Sequence, residues 1–196
     1  FLNHENHVIR TVAVEGFCKL YINNIMEDPI VLSRLCKELL NPYSTEKFAQ
    51  IRQCLISFFP HFILQDNNNA VTLERAVVLM VNASLSSNPT SIKSVFDFLL
   101  KFIAPVTGSA GSSALDERAP LRLQATHTRI AIELLQSLEK NPLGNHVGVV
   151  PDLLPLIKVI KCPELNELHA VAQKCISSVK DKTQLTKLRK FAKDLP

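Results

Sequence analysis

The sequence predicts an all-α chain, an α-solenoid of antiparallel helix pairs, and three observations carry that expectation. Apolar residues recur at three- and four-residue steps along almost every stretch. No segment alternates apolar with polar residues as a half-buried strand would. The periodic stretches are separated by short Asn-Pro or Asp-Pro breaks, which stop one helix and start the next. With 196 residues, 46% of them apolar, and only 5 Gly, the chain can bury a core as one domain or as a stack of about five helical repeats.

Taken in order, residues 7–25 place Val8, Ile9, Val12, Ala13, Phe17, Leu20 and Tyr21 on one broad helical face. Asp28-Pro29 then supplies an N-cap acceptor and a Pro at the first helical position, where its missing N–H costs nothing. The second helix runs to about residue 40 through Leu32, Leu35 and Leu39, and Asn41-Pro42 closes it. Ser44 or Thr45 opens a third helix with Phe48, Ile51, Cys54, Leu55, Phe58 and Phe59 on its core side. Pro60 is expected to kink it, because the ring clashes with the carbonyl four residues back. Residues 65–69 read as a turn, 71–85 as a fourth helix, and 91–104, after Asn88-Pro89, as a strongly apolar fifth.

Residues 105–118 lose all period and are rich in Gly, Ser and Ala; they read as a flexible loop, either native or an engineered replacement for a longer one. Helical spacing resumes over 120–138, followed by a loop over 141–148 and a short apolar helix over 149–160. Pro163 opens a helix that reaches Val179, and a basic helix over 183–192 comes last. The expected organisation is therefore helix pairs over 1–104, the loop over 105–118, and C-terminal helices over 119–196 ending in the basic one. Helix pairs beginning near His4, Thr45 and Pro89 are separated by about 40 residues, and the tetratricopeptide and ankyrin signatures are absent. That leaves the degenerate HEAT type, which needs only amphipathic pairs at this spacing.

Little here resembles catalytic equipment. Cys18, Cys36, Cys54, Cys162 and Cys175 are an odd number without a Cys-x-x-Cys pair, and four of them sit within helical apolar patterns. They read as buried thiols of a reducing compartment rather than a disulfide framework. His4 and His7, with Glu5 between them, are the nearest approach to a metal-ligand spacing, and no further ligand lies nearby, so no metal site is expected. Glu164 and Glu167 occupy a first helical turn, where carboxylates complement the helix dipole. There is no phosphate-binding glycine loop, no H-E-x-x-H and no G-x-S-x-G; neither a catalytic residue nor a cofactor is expected, and the chain is not read as an enzyme. It begins at Phe1 rather than Met and reads as a segment of a longer protein. No apolar run reaches the ~18 residues a membrane helix needs, so no membrane span is expected.

Charge is the one functional signal. The net +4 is concentrated in residues 174–196, where Lys174, Lys180, Lys182, Lys187, Arg189, Lys190 and Lys193 face only Asp181 and Asp194. A basic end on a near-neutral body suits an acidic partner, nucleic acid first among them; the competing reading is a solvated helix face. Only Phe191 interleaves with these cations, and it reads as a core residue. That argues against stacking on single-stranded bases and for phosphate contacts on duplex DNA. Lys174, Lys180, Lys182, Lys187, Arg189 and Lys190 are the candidate contacts.

Three stretches carry a resemblance to a known family. IRTVAVEGFCKLYINN (9–24), DPIVLSRLCKELLNPYSTE (28–46) and IRQCLISFFPHF (51–62) resemble the HEAT-repeat condensin subunit family called CAP-G. They cover the first third of the chain; beyond Asn69 the similarity is one of helix order. The resemblance implies the C-terminal region of such a subunit, a non-enzymatic curved solenoid in a complex whose ATPase lies in the SMC subunits. It further implies a bound kleisin segment, a basic groove on double-stranded DNA, and a role in mitotic chromosome assembly, in the nucleus, on chromosomes and in the cytoplasm. Arg10, Lys19 and Arg52 fall within the matching stretches and are secondary DNA-binding candidates; each reads equally as a structural arginine or a snorkelling lysine. A protein–protein scaffold without DNA contact is the alternative function.

Overall fold

The computed structural model describes residues 1–40, 46–103 and 125–196, and no strand occurs among them. The helices are α1 (His7–Ile22), α2 (Pro29–Glu38), α3 (Glu46–Gln65), α4 (Asn67–Ala83), α5 (Pro89–Leu100), α6 (Thr126–Lys140), α7 (His146–Leu153), α8 (Leu165–Ser178) and α9 (Lys182–Lys193). A single 3-10 turn, Leu154–Leu156, follows α7. The chain groups into two compact units, Phe1–Ser84 and Leu85–Pro196. The fifth helix thus packs with the later ones.

Helix starts follow local chemistry. The first N–H groups of a helix have no intrahelical acceptor, and short polar side chains supply one at five starts. Asn6 accepts from the Val8 amide at 2.9 Å, Asp28 from Ile30 at 2.7 Å and Asp66 from Asn68 at 2.8 Å. Asn88 accepts from Thr90 and Asp181 from Gln184, both at 2.9 Å. Pro29 and Pro89 occupy first-turn positions, as the breaks in the sequence require.

Several boundaries differ from the sequence reading. The turn expected over 65–69 shrinks to Asp66, because its side chain caps α4 directly and Asn69 donates to the Phe62 carbonyl at 2.7 Å. Helix α3 continues past Pro60 to Gln65. Helix α5 starts two residues earlier than expected and closes at Leu100. The apolar stretch expected as a helix over 149–160 is α7, which begins at His146, followed by the 3-10 turn. Pro155 sits in that turn and no regular helix continues past it. The Asn41-Pro42 break, the Ser44 or Thr45 start, the loop over 105–118 and the helix start at Pro120 lie outside the described residues.

Within the first unit the helices form two hairpins stacked in register. The Tyr21 hydroxyl donates to the Asp28 carbonyl, joining the end of α1 to the start of α2. At the far end Arg10 pairs with Glu38, so α1 and α2 run antiparallel. Helix α3 instead runs parallel to α1. The Arg10 guanidinium lies 5.0 Å from the Phe48 ring centre at one end of the pair. At the other end Tyr21 meets Phe62 edge-on at 5.5 Å, and Gln65 donates to the Ile22 carbonyl at 2.6 Å. Helix α4 packs on α2, where Lys37 reaches the Ala83 carbonyl at 3.3 Å. Equivalent helices of successive pairs therefore lie side by side, the arrangement that a period of about 40 residues implies.

The second unit repeats the principle. Helices α6 and α8 lie parallel: Arg129 approaches Glu164 at 3.7 Å near their starts. Nearer their ends the Cys175 thiol lies 3.1 Å from the Leu135 carbonyl, and Lys174 approaches Glu139 at 3.9 Å. Helix α7 packs against α5, α6 and α9, and α9 also packs on α8. All five cysteines are free. Burial raises the thiol pKa of Cys18 and Cys36 and pushes Cys175 up to about 11, so these groups stay protonated and unreactive at neutral pH.

Tyr21, Phe58, Phe59 and Phe62 hold the seam between α1 and α3, with adjacent ring centres 5.1 to 6.1 Å apart. Phe62 is 1% exposed. The Phe62→Ala variant is expected to lose about 3–5 kcal/mol of stability in urea unfolding, the usual cost of emptying a fully packed phenylalanine site.

Candidate nucleic-acid interface

The basic cluster resolves into a helix with two faces. Leu188 and Phe191 turn inward on α9, and Lys182, Arg189, Lys190 and Lys193 are exposed. Positions 182, 189 and 193 are seven and four residues apart, which aligns them along one stripe with Lys190 beside it. Lys180 is exposed just ahead of the helix. Lys190 and Lys193 occupy the last turn, where cations complement the negative end of the helix dipole.

Two of the expected contacts are already engaged. Lys187 pairs with Asp152 of α7, both side chains about one-third exposed. Lys174 lies 3.9 Å from Glu139 of α6. The three secondary candidates lie in the other unit. Arg10 is largely enclosed by Glu38 and the Phe48 ring, Arg52 is half-buried on α3, and Lys19 is exposed on α1.

Beside the α9 stripe, α5, α9 and the segment following α7 enclose a groove of about 630 Å³. Lys93, Lys158, Lys187 and Lys190 line it together with Asp152 and Asp194 and with apolar residues that include Ile157 and Phe191. Lys93 and Lys158 escaped the sequence reading. They lie far apart in the chain and far from residues 174–196, and no spacing rule links them; only the packing of α5 and α7 brings them beside α9.

Lys158 is held from behind by a buried histidine. Its backbone N–H donates to His127 Nδ1 at 3.1 Å, and His127 is 2% exposed at the start of α6. Burial lowers the His127 pKa; the Leu100 carbonyl opposes that shift, and the Lys158 charge adds to it. The neutral ring is also the form that leaves Nδ1 free to accept. Among the described residues, no group of three or more His, Cys, Asp or Glu side chains could hold a metal ion, and no helix is long and apolar enough to cross a membrane.

These observations define a helix-pair repeat domain carrying a basic terminal helix. The chain belongs to the family described as nuclear condensing complex subunits, C-terminal domain, whose profile matches residues 1–169. It is similar to condensin complex subunit 3 of Homo sapiens, at 26% identity over 197 aligned positions and 97% of this chain. Condensin complex subunit 3 of Xenopus laevis is 23% identical over 92% of the chain. The chain spans about a fifth of the length of these relatives, 19% in each case. It is thus a condensin-family subunit region. The family profile ends before α9, so the basic helix lies outside the residues it matches.

Because His127 binds its proton more weakly folded than unfolded, the unfolded chain protonates first as pH falls. The stability present above the ordinary value of about 6.5 should therefore be lost as pH drops toward the folded value. His146, also lowered by burial, shifts stability in the same direction. Urea titrations of wild type and His127→Asn between about pH 5 and 8 should give a visibly flatter profile for the variant. Removing Lys187 by Lys187→Ala should cost no more than about 1 kcal/mol, as expected for a pair this exposed, measured in the same way at pH 7.

Proposed function

We propose that this chain is the C-terminal region of a CAP-G-type condensin subunit, a non-enzymatic helical-repeat module of mitotic chromosome condensation. In this reading it binds the kleisin subunit, contacts the SMC subunits through the complex, and adds a sequence-independent contact to double-stranded DNA in the nucleus. The observation that carries the DNA contact is the one-signed outward stripe of α9, Lys182, Arg189, Lys190 and Lys193, on a chain of the condensin family. Lys180 extends the stripe. Lys174 and Lys187, each beside a carboxylate, serve chiefly to anchor α8 and α9.

The mechanism is electrostatic. Each phosphate met by a lysine or arginine releases condensed counterions, so the logarithm of affinity falls with the logarithm of salt by about 0.9 per contact. Side chains on a solvent-facing stripe reach phosphates without distorting the helix and carry no base readout.

A protein-binding scaffold without DNA contact is favoured by a different observation. Helix α1 exposes Val8, Ile9 and Val12 beside Phe1, around an apolar cleft of about 420 Å³, and contiguous apolar surface of this kind marks protein contacts. The two readings separate in one titration. Anisotropy with a duplex of about 20 base pairs, at about 50 and 200 mM salt, should show a steep salt slope for wild type. Combining Lys182→Glu, Arg189→Glu and Lys190→Glu should reduce that slope by roughly 3 and weaken binding at least about tenfold, with the helical circular dichroism unchanged. Absence of duplex binding would favour the scaffold, as would loss of kleisin-peptide binding on Val12→Glu with no effect of the α9 reversals; duplex binding unaltered by the reversals would remove the α9 stripe from the site.

A further inference from the structure

The groove between α5, α9 and the segment after α7 differs in chemistry from the α9 stripe. At about 630 Å³ it falls within the range usual for ligand sites, roughly 300–1,000 Å³. Its lining is rich in cations. Asp152 is matched by Lys187, which leaves Lys93, Lys158 and Lys190 around a single further carboxylate, that of Asp194. Among the described residues those three ammonium groups take part in no ion pair. The rest of its lining is mostly apolar and includes Ile157, Val159, Phe191 and Leu195.

That combination selects the occupant. A phosphodiester backbone satisfies lysines but gains nothing over Ile157 and Phe191, where desolvating its charge is costly. A wholly apolar ligand leaves the ammonium groups facing it unsatisfied. An extended acidic peptide with an apolar side chain at its centre meets both demands, because its carboxylates can face the lysines while the anchor packs on the apolar lining. We propose that this groove is a docking site for an acidic linear segment of a partner protein, held by Lys93, Lys158 and Lys190 and anchored by a buried apolar side chain. Lys158 is held in place for this role by the backbone bond to His127. The site is independent of the duplex contact assigned to the outward stripe; Lys190 alone belongs to both.

The test uses the whole 196-residue chain and a fluorescein-labelled peptide of about ten residues, long enough to cross a groove at about 3.3 Å per residue. The peptide is made of Asp and Glu with adjacent Leu and Phe at its centre, and in a control both apolar residues become Ser. The first peptide should bind, the Ser control should bind at least about fivefold more weakly, and Lys93→Glu with Lys158→Glu should weaken the first roughly tenfold or more. Duplex binding by that double variant should stay within about twofold of wild type. Both lysines are exposed, so a folding defect is not expected, and circular dichroism checks it. No binding of the Leu-Phe peptide at about 100 μM, equal binding of the Ser control, or an affinity unmoved by the two reversals would overturn the proposal. A parallel loss of duplex binding would overturn it in favour of a single polyanion surface.

Discussion

Within the first unit, α1 packs on α3 and α2 on α4, so equivalent helices of successive pairs bury their apolar faces against each other. Tyr21 links this packing to the hairpin in one residue. Its ring packs against the stacked Phe58 and Phe62 rings of α3 while its hydroxyl ties α1 to the start of α2. A side chain of this size contributes on the order of 2–3 kcal/mol by burial, and each favourable ring pair adds about 0.5–1.5 kcal/mol. Among the described residues, exposed ion pairs contribute less than that. The parallel seams of α1 with α3 and of α6 with α8 are built on burial of this kind.

Electrostatics is layered on this frame and is weaker residue by residue. The cations divide into those facing a neighbouring carboxylate and those facing outward. Arg10, Lys187 and Lys174 belong to the first group, spanning α1 to α2, α9 to α7 and α8 to α6. Exposed pairs such as Lys174 with Glu139 contribute about 0–1 kcal/mol, enough to orient a helix but not to hold it. The outward group is where positive charge is available to a partner. A polyanion amplifies such charge collectively through counterion release, so modest individual contacts add up to a surface.

The groove bounded by α5 and α9 combines the two regimes, with apolar and cationic side chains sharing its lining. Its wall includes Lys158, whose backbone depends on a neutral His127. Core protonation and surface geometry are therefore linked in this unit, even though His127 is itself out of reach of any ligand.

Local patterns were legible in the chain alone. Helical periodicity, the Asp28-Pro29 and Asn88-Pro89 starts, and the concentration of charge near α9 all depend on residues within a few positions of one another, and local chemistry decides them. The resemblance in 9–62 pointed to the condensin family, to which the match over 1–169 assigns the chain. Packing decided the rest. That Asp66 suffices as the whole turn between α3 and α4 depends on Asn69 finding the Phe62 carbonyl, a partner seven residues away that no spacing rule predicts. That Lys187 is bound to Asp152 while Lys190 is not, and that Lys93 and Lys158 share a groove with α9, are consequences of which helix lies beside which. A sequence records the charge a residue carries, but the distance to its counter-charge exists only once the helices have stacked.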